Sequence, residues 1–129
     1  MIDVRLRPEL DEAELEALHA SGFGPSPAPV PWRARLERFS VGWAGAHDGD
    51  RLVGFVNVVG DDGVHGFLVD TVVAVDHRRT GIGRRLVETA RTGARAAGCH
   101  WLHVDHEPHL TPFSASCGFT PTAAGVLRP

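Results

Sequence analysis

The chain has 129 residues, of which 43% are hydrophobic and 22% charged, a size and balance expected of a single domain over residues 1–129 that buries its own core. Net charge is −3, and all thirteen cationic side chains are arginine, which excludes the broad basic surface of a nucleic-acid-binding protein. No apolar run approaches the roughly 18 residues of a membrane span, and only two cysteines occur, Cys99 and Cys117. Together with an N-terminus that lacks the basic-then-apolar layout of a signal peptide, they give the expectation of a cytoplasmic protein with free thiols.

Residues 2–6 alternate apolar and polar as an edge strand would, and Pro8 ends them. A helix is predicted to follow, with Asp11 as N-cap, Glu14 closing a capping box, Leu10 and Leu15 forming a hydrophobic staple, Leu15 and Leu18 buried, and Gly22 as its stop. Pro25, Pro27, Pro29 and Pro31 then bar residues 22–32 from a sheet interior and mark a loop. Trp32, Leu36 and Phe39 recur at helical spacing after Pro31.

From residue 41 the period changes to two. VGWAGAH, RLVGFVNVV and VHGFLVDTVVAV, separated by turns at 48–50 and 60–63, predict an antiparallel meander. The third of these strands is apolar on both faces, as a central strand would be, and Asp70 interrupts it. Ile82, Leu86, Val87, Ala90, Ala94 and Ala97 then form one helical stripe ending at Gly98. HWLHV gives a further strand, residues 112–117 a short helix, and GFTPTAAGVL a last short strand. The architecture read from these elements is mixed α/β with a central sheet.

VVAVDHRRTGIGRRL sets Gly81 and Gly83 at the start of a helix that follows a buried strand, the geometry that binds phosphate. Glycine lets the main chain approach an anion, the unpaired N–H groups of the first turn point at it, and the helix dipole favours negative charge. Arg84 and Arg85 oppose that dipole by about 0.3–1 kcal/mol each unless an anion is bound. The spacing matches neither GxGxxG nor GxxxxGK[ST], and solvated arginines on a glycine turn are the structural alternative.

At these residues the chain resembles the GNAT superfamily of N-acyltransferases. Val73 to Leu86 is similar to its acyl-CoA pyrophosphate loop, Arg/Gln-x-x-Gly-x-Gly/Ala, present as Arg78-Arg79-Thr80-Gly81-Ile82-Gly83. Cys117-Gly118-Phe119 stands where the family usually has Leu-Gly-Phe. The resemblance implies a mixed, mostly antiparallel α/β sheet with helices on both faces, splayed between strands 4 and 5, with acetyl-CoA as cosubstrate in the cleft. It implies cofactor contacts at Val73, Val75, Arg78, Arg79, Thr80, Gly81, Ile82, Gly83, Arg84 and Arg85, and a carbonyl-polarising amide at a bulge around Val72 and Val73.

Acyl transfer to an amine also asks for a base and a proton source for the leaving thiolate. Asp70 is the candidate base, expected on the Leu68/Val72/Ala74 face and partly desolvated there, with a structural hydrogen-bonding role as its alternative and His65 and His103 as other candidates. The family's tyrosine acid is missing, since the chain has no tyrosine, and Ser114 takes its place; a serine reaches the sulfur only through water. Glu107 stands where the family often has asparagine.

Phe23 and Trp32, flanking the proline loop, are the candidate acceptor contacts, against the alternatives of a rigid surface loop and a core tryptophan. His100, His103, His106 and His109 recur every third residue, but a strand and Pro108 prevent their convergence on a metal. The expected function is transfer of an acetyl group from acetyl-CoA to a primary amine, in a small molecule or a peptide, by direct attack. The alternatives are a catalytically weak or inactive acyl-CoA-binding module and a purely structural subunit. Only ten residues follow Phe119, so a second copy is expected to wall the acceptor site in a homodimer.

Overall fold

A computed structural model describes residues 1–129. Strand β1 (Ile2–Leu6) leads to α1 (Glu12–Phe23) and α2 (Trp32–Phe39), then to β2 (Ser40–Asp48), β3 (Arg51–Gly60) and β4 (His65–Val73). A single 3₁₀ turn at Val75–His77 precedes α3 (Ile82–Ala96), followed by β5 (Trp101–Val104), a second 3₁₀ turn at Pro108–Leu110 and α4 (Thr111–Ser116). The sheet order is β1-β2-β3-β4-β5, antiparallel throughout except that β4 and β5 run parallel. No helix is long and apolar enough to cross a membrane.

β3 is the centre of the sheet, and its alternation serves two layers. A Cβ at Gly54 would lie 2.8 Å from Leu86 and 3.2 Å from Ile82 of α3, so glycine lets that helix pack close to the strand. The next residue, Phe55, points the other way and meets the Trp32 ring of α2 edge-on at 5.7 Å. Helices therefore cover both faces, and the buried stripe of α3 includes the predicted Ile82, Leu86, Val87, Ala90 and Ala94, while Ala97 is exposed.

Several local expectations are corrected. Asp11 does cap α1, accepting the Glu14 amide at 2.9 Å, but the Glu14 carboxylate bonds the Leu52 amide of β3 instead of returning to close a capping box. The helix runs through Gly22 to Phe23 and stops at Gly24, whose φ is +83°. Phe39 is exposed, and β3 rather than β4 is the buried central strand, with Phe67 of β4 half-exposed. Residues 119–129 form no strand.

β4 and β5 pair only from His65 with Trp101 to Leu68 with Val104, and no ladder joins them beyond that point. The divergence opens a cleft at the carboxyl ends of both strands, next to the start of α3. Phe55→Ala would remove the packing between the sheet and α2, and should cost about 3–5 kcal/mol in chemical denaturation. A loss below about 1 kcal/mol would show that the α2 layer is not held through this ring.

Candidate active site

The cleft encloses about 990 Å³ and is lined by the end of β4, the loop and first turns of α3, the segment from Val104 through α4, and Phe23 at the end of α1. Gly81 caps α3 with φ +83°, a left-handed conformation that glycine adopts without steric cost. The first amide to bond back into the helix is that of Arg85, to the Gly81 carbonyl at 3.1 Å, leaving the Ile82, Gly83 and Arg84 amides free at its mouth. A Cβ on Gly83 would lie 3.1 Å from the Phe113 ring and 3.8 Å from Val73, so the bare main chain here preserves a narrow cradle.

Val73, Arg78, Arg79, Gly81, Ile82, Gly83 and Arg84 all line the cleft. Arg78 donates from Nε to the Val73 carbonyl at 3.1 Å, and Arg79 has φ +62°. The other expected cofactor contacts do not line it. Arg85, one residue and about 100° further round the helix, donates to the Ile2 carbonyl of β1 at 3.2 Å. Val75 is 68% exposed on the 3₁₀ turn, and the Thr80 hydroxyl donates to the His77 carbonyl at 2.6 Å, which braces the loop from within.

A charged network that sequence reading missed fixes this loop to the β2–β3 turn. His77 lies between Asp48, 2.9 Å from Nε2, and Asp76, 3.0 Å from Nδ1, and Arg51 grips Asp76 at 2.7 and 3.1 Å. Donating hydrogen bonds to Asp48 and then to Asp76 raises His77 above its ordinary 6.5, and accepting them from Arg51 and His77 holds Asp76 far below 3.8. Asp48 is likewise lowered, chiefly by His77.

Asp70 sits at a bulge. Asn57 faces Val69 and Phe55 faces Val72, so two β4 residues, Asp70 and Thr71, stand opposite Val56 alone, and Asp70 takes φ +59°. The bulge lies nearer the start of β4 than the expected site at Val72 and Val73, where β4 is already back in register with Phe55 and Gly54. Asp70 lines the cleft, and its Oδ1 lies 2.9 Å from His19 Nε2 of α1. His19 was not singled out from the sequence, because a helix–strand contact across 51 residues leaves no local pattern.

His65 and His103 are paired with each other at 2.8 Å, at the opposite end of β4 from the bulge, and neither lines the cleft. His106, Glu107 and His109 do line it, as do Phe113 and Ser114, the last nearly buried on α4. No group of three or more His, Cys, Asp and Glu side chains stands together as a metal site requires. Burial pushes the Cys117 thiol up from its ordinary 9.0, away from the thiolate form.

Of the two candidate acceptor contacts, Phe23 lines the cleft and Trp32 does not. Trp32 is 1% exposed and packs behind the site, its ring centroid 5.0 Å from that of His19. The alternative of a core tryptophan is the one realised.

The signs of the shifted groups fix a pH dependence. His77, raised when folded, contributes stability that is fully present below pH 6.5 and is lost as pH rises through its folded value; Asp48 and Asp76, lowered when folded, contribute above pH 3.8 and lose it as pH falls. The stability gap between the wild type and His77→Gln should therefore be widest between pH 3.8 and 6.5 and narrow in alkaline buffer. Urea midpoints of both proteins measured within that range and in alkaline buffer check it, and a gap that widens with alkalinity would contradict it.

The family model described as "Acetyltransferase (GNAT) family" matches residues 8–119. A mycothiol acetyltransferase from Tsukamurella paurometabola is 34% identical over 119 residues, covering 88% of this chain and 37% of that protein, so the chain spans little more than a third of that relative's length. Among solved structures, an acetyltransferase from Trypanosoma brucei superposes with a TM-score of 0.85 at 18% identity, covering 100% of this chain and 99% of the other. An aminoglycoside N-acetyltransferase crystallised with CoA gives 0.83 at 16% identity, with 100% and 94% covered. The splayed sheet, the glycine loop at the mouth of α3 and a family match over most of the chain lead to one assignment: this chain belongs to the GNAT acetyltransferase family.

Proposed function

We propose that the chain is an acetyl-CoA-dependent N-acetyltransferase acting on a primary amine by direct attack. The observation that carries the reading is one cleft with cationic groups and free amides at one end, around Arg78 to Arg84, and a carboxylate, Asp70, on its β4 wall. The names of the related proteins, a mycothiol acetyltransferase and an aminoglycoside N-acetyltransferase, support the same reaction class.

The residues present fit the cofactor. Three unbonded amides at Ile82, Gly83 and Arg84, with the Arg78, Arg79 and Arg84 side chains around them, suit a diphosphate, and the missing side chain at Gly83 keeps the approach open. Acetyl-CoA, when bound, supplies a thioester whose carbonyl carbon is the electrophile. Asp70 takes one proton of the incoming ammonium, freeing the nitrogen lone pair to form the new C–N bond; as the C–S bond breaks, a second proton leaves that nitrogen and one is delivered to the departing sulfur, giving the amide and the free thiol. A thiol of ordinary pKa near 8.5 is a tolerable leaving group, so Ser114, relaying a proton through water, assists the departing thiolate without being indispensable. Phe23 lies at the acceptor side, on the same helix as His19.

Two variants separate binding from turnover. Gly83→Val sets a branched side chain against Phe113 and should weaken coenzyme A binding at least about tenfold in calorimetry, with the circular dichroism spectrum unchanged; unaltered affinity would remove the loop assignment. Asp70→Asn should lower turnover by roughly 10²–10⁴-fold while leaving coenzyme A affinity intact. Thiol release from acetyl-CoA over a pooled panel of primary amines tests the reaction itself. Binding without release above the uncatalysed rate would favour a non-catalytic acyl-CoA-binding module.

A further inference from the structure

The Asp70 carboxylate is not free to choose its own orientation. His19 Nε2 lies 2.9 Å from Oδ1, and the two side chains are only 17% and 19% exposed. The imidazole is itself held on both sides, stacked on Phe23 at 4.6 Å with 25° between the planes and tilted against Trp32 at 5.0 Å. Trp32 is fixed in turn by Phe55 of the central strand. A ring packed in this way cannot swing away from its partner without displacing an aromatic neighbour.

The backbone on each side has been shaped to make this contact. On β4, the bulge and the left-handed φ of Asp70 turn its side chain out of the strand's ordinary alternation. On α1, a Cβ at Gly22 would lie 2.8 Å from Val72 Cγ2, so only glycine lets the last turn of the helix come this close to the strand. A strained residue on one element and an obligatory glycine on the other converge on a single hydrogen bond.

We infer that His19 is a positioning residue for Asp70, donating from Nε2–H so that one carboxylate oxygen is held and the other is left to accept the substrate's proton. This rests on the acyl-transfer reading above. A carboxylate next to imidazole fixes the tautomer, because an ionised acid offers only acceptors and the nitrogen facing it must carry the hydrogen. His19 touches neither the thioester nor the amine in this scheme; it acts through Asp70.

His19→Leu removes the donor in a side chain of similar bulk, and His19→Gln keeps an N–H donor without a titrating ring. The leucine variant should lose roughly ten- to hundredfold in kcat while its KM for acetyl-CoA stays within about twofold, and glutamine should recover most of the loss. Leucine with wild-type kcat, or glutamine as impaired as leucine, would overturn the role. In the unsubstituted protein, nitrogen NMR should find the proton of neutral His19 on Nε2; a proton on Nδ1 would overturn it without reference to activity. A wild type that turns over no amine would take the acyl-transfer reading down as well, whereas failure of the variants or of the tautomer alone leaves that reading standing.

Discussion

Three amide groups at the start of α3 have no carbonyl to bond, and the site is arranged around that fact. The helix that follows β4 after a short loop presents Ile82, Gly83 and Arg84 with their N–H groups pointing outward, next to a positive dipole end and three arginine side chains. Such a cluster of like charge is unfavourable by itself. It becomes favourable when a polyanion fills it, which is why its place beside the widest opening of the sheet matters.

The opening has its own cause. β5 bonds β4 over four residue pairs and then separates, so the far half of β4 offers its edge to the cleft rather than to a neighbour. The loop between β4 and α3 is tied at His77 to Asp48 and Asp76, with Arg51 closing the network on the β2–β3 turn. A ligand meeting a loop already held in place loses less conformational freedom on binding, and the ion pairs here act through geometry more than through their own stability, since Arg51, Asp48 and Asp76 around the half-buried His77 are exposed to solvent.

Much of this was legible in the chain. The two glycines, the apolar strand before them and the stripe from Ile82 to Ala94 specify a strand–turn–helix, because each feature has a local physical signature. What was not legible depended on position in space. Arg84 and Arg85 are equivalent by spacing from the glycines, yet consecutive helical residues diverge by about 100°, and one faces the cleft while the other reaches β1. Gly22 carries the signature of a helix stop but serves a close approach to Val72, and Glu14 carries that of a capping box but spends its carboxylate on β3. The partnership of His19 with Asp70 lies across 51 residues, and β4's bulge shifts the alternation that placed Asp70 among its neighbours. Trp32 belongs to the core because α2 turns it toward Phe55, a choice that flanking prolines do not encode.

The central claim is that the main chain at the mouth of α3 holds a diphosphate. Amide proton shifts followed by NMR during titration with coenzyme A test it most directly. The Ile82, Gly83 and Arg84 amides should move downfield together and saturate with a single affinity, as new acceptors reach them. Stationary signals at all three, while coenzyme A shifts residues elsewhere or none at all, would contradict the account.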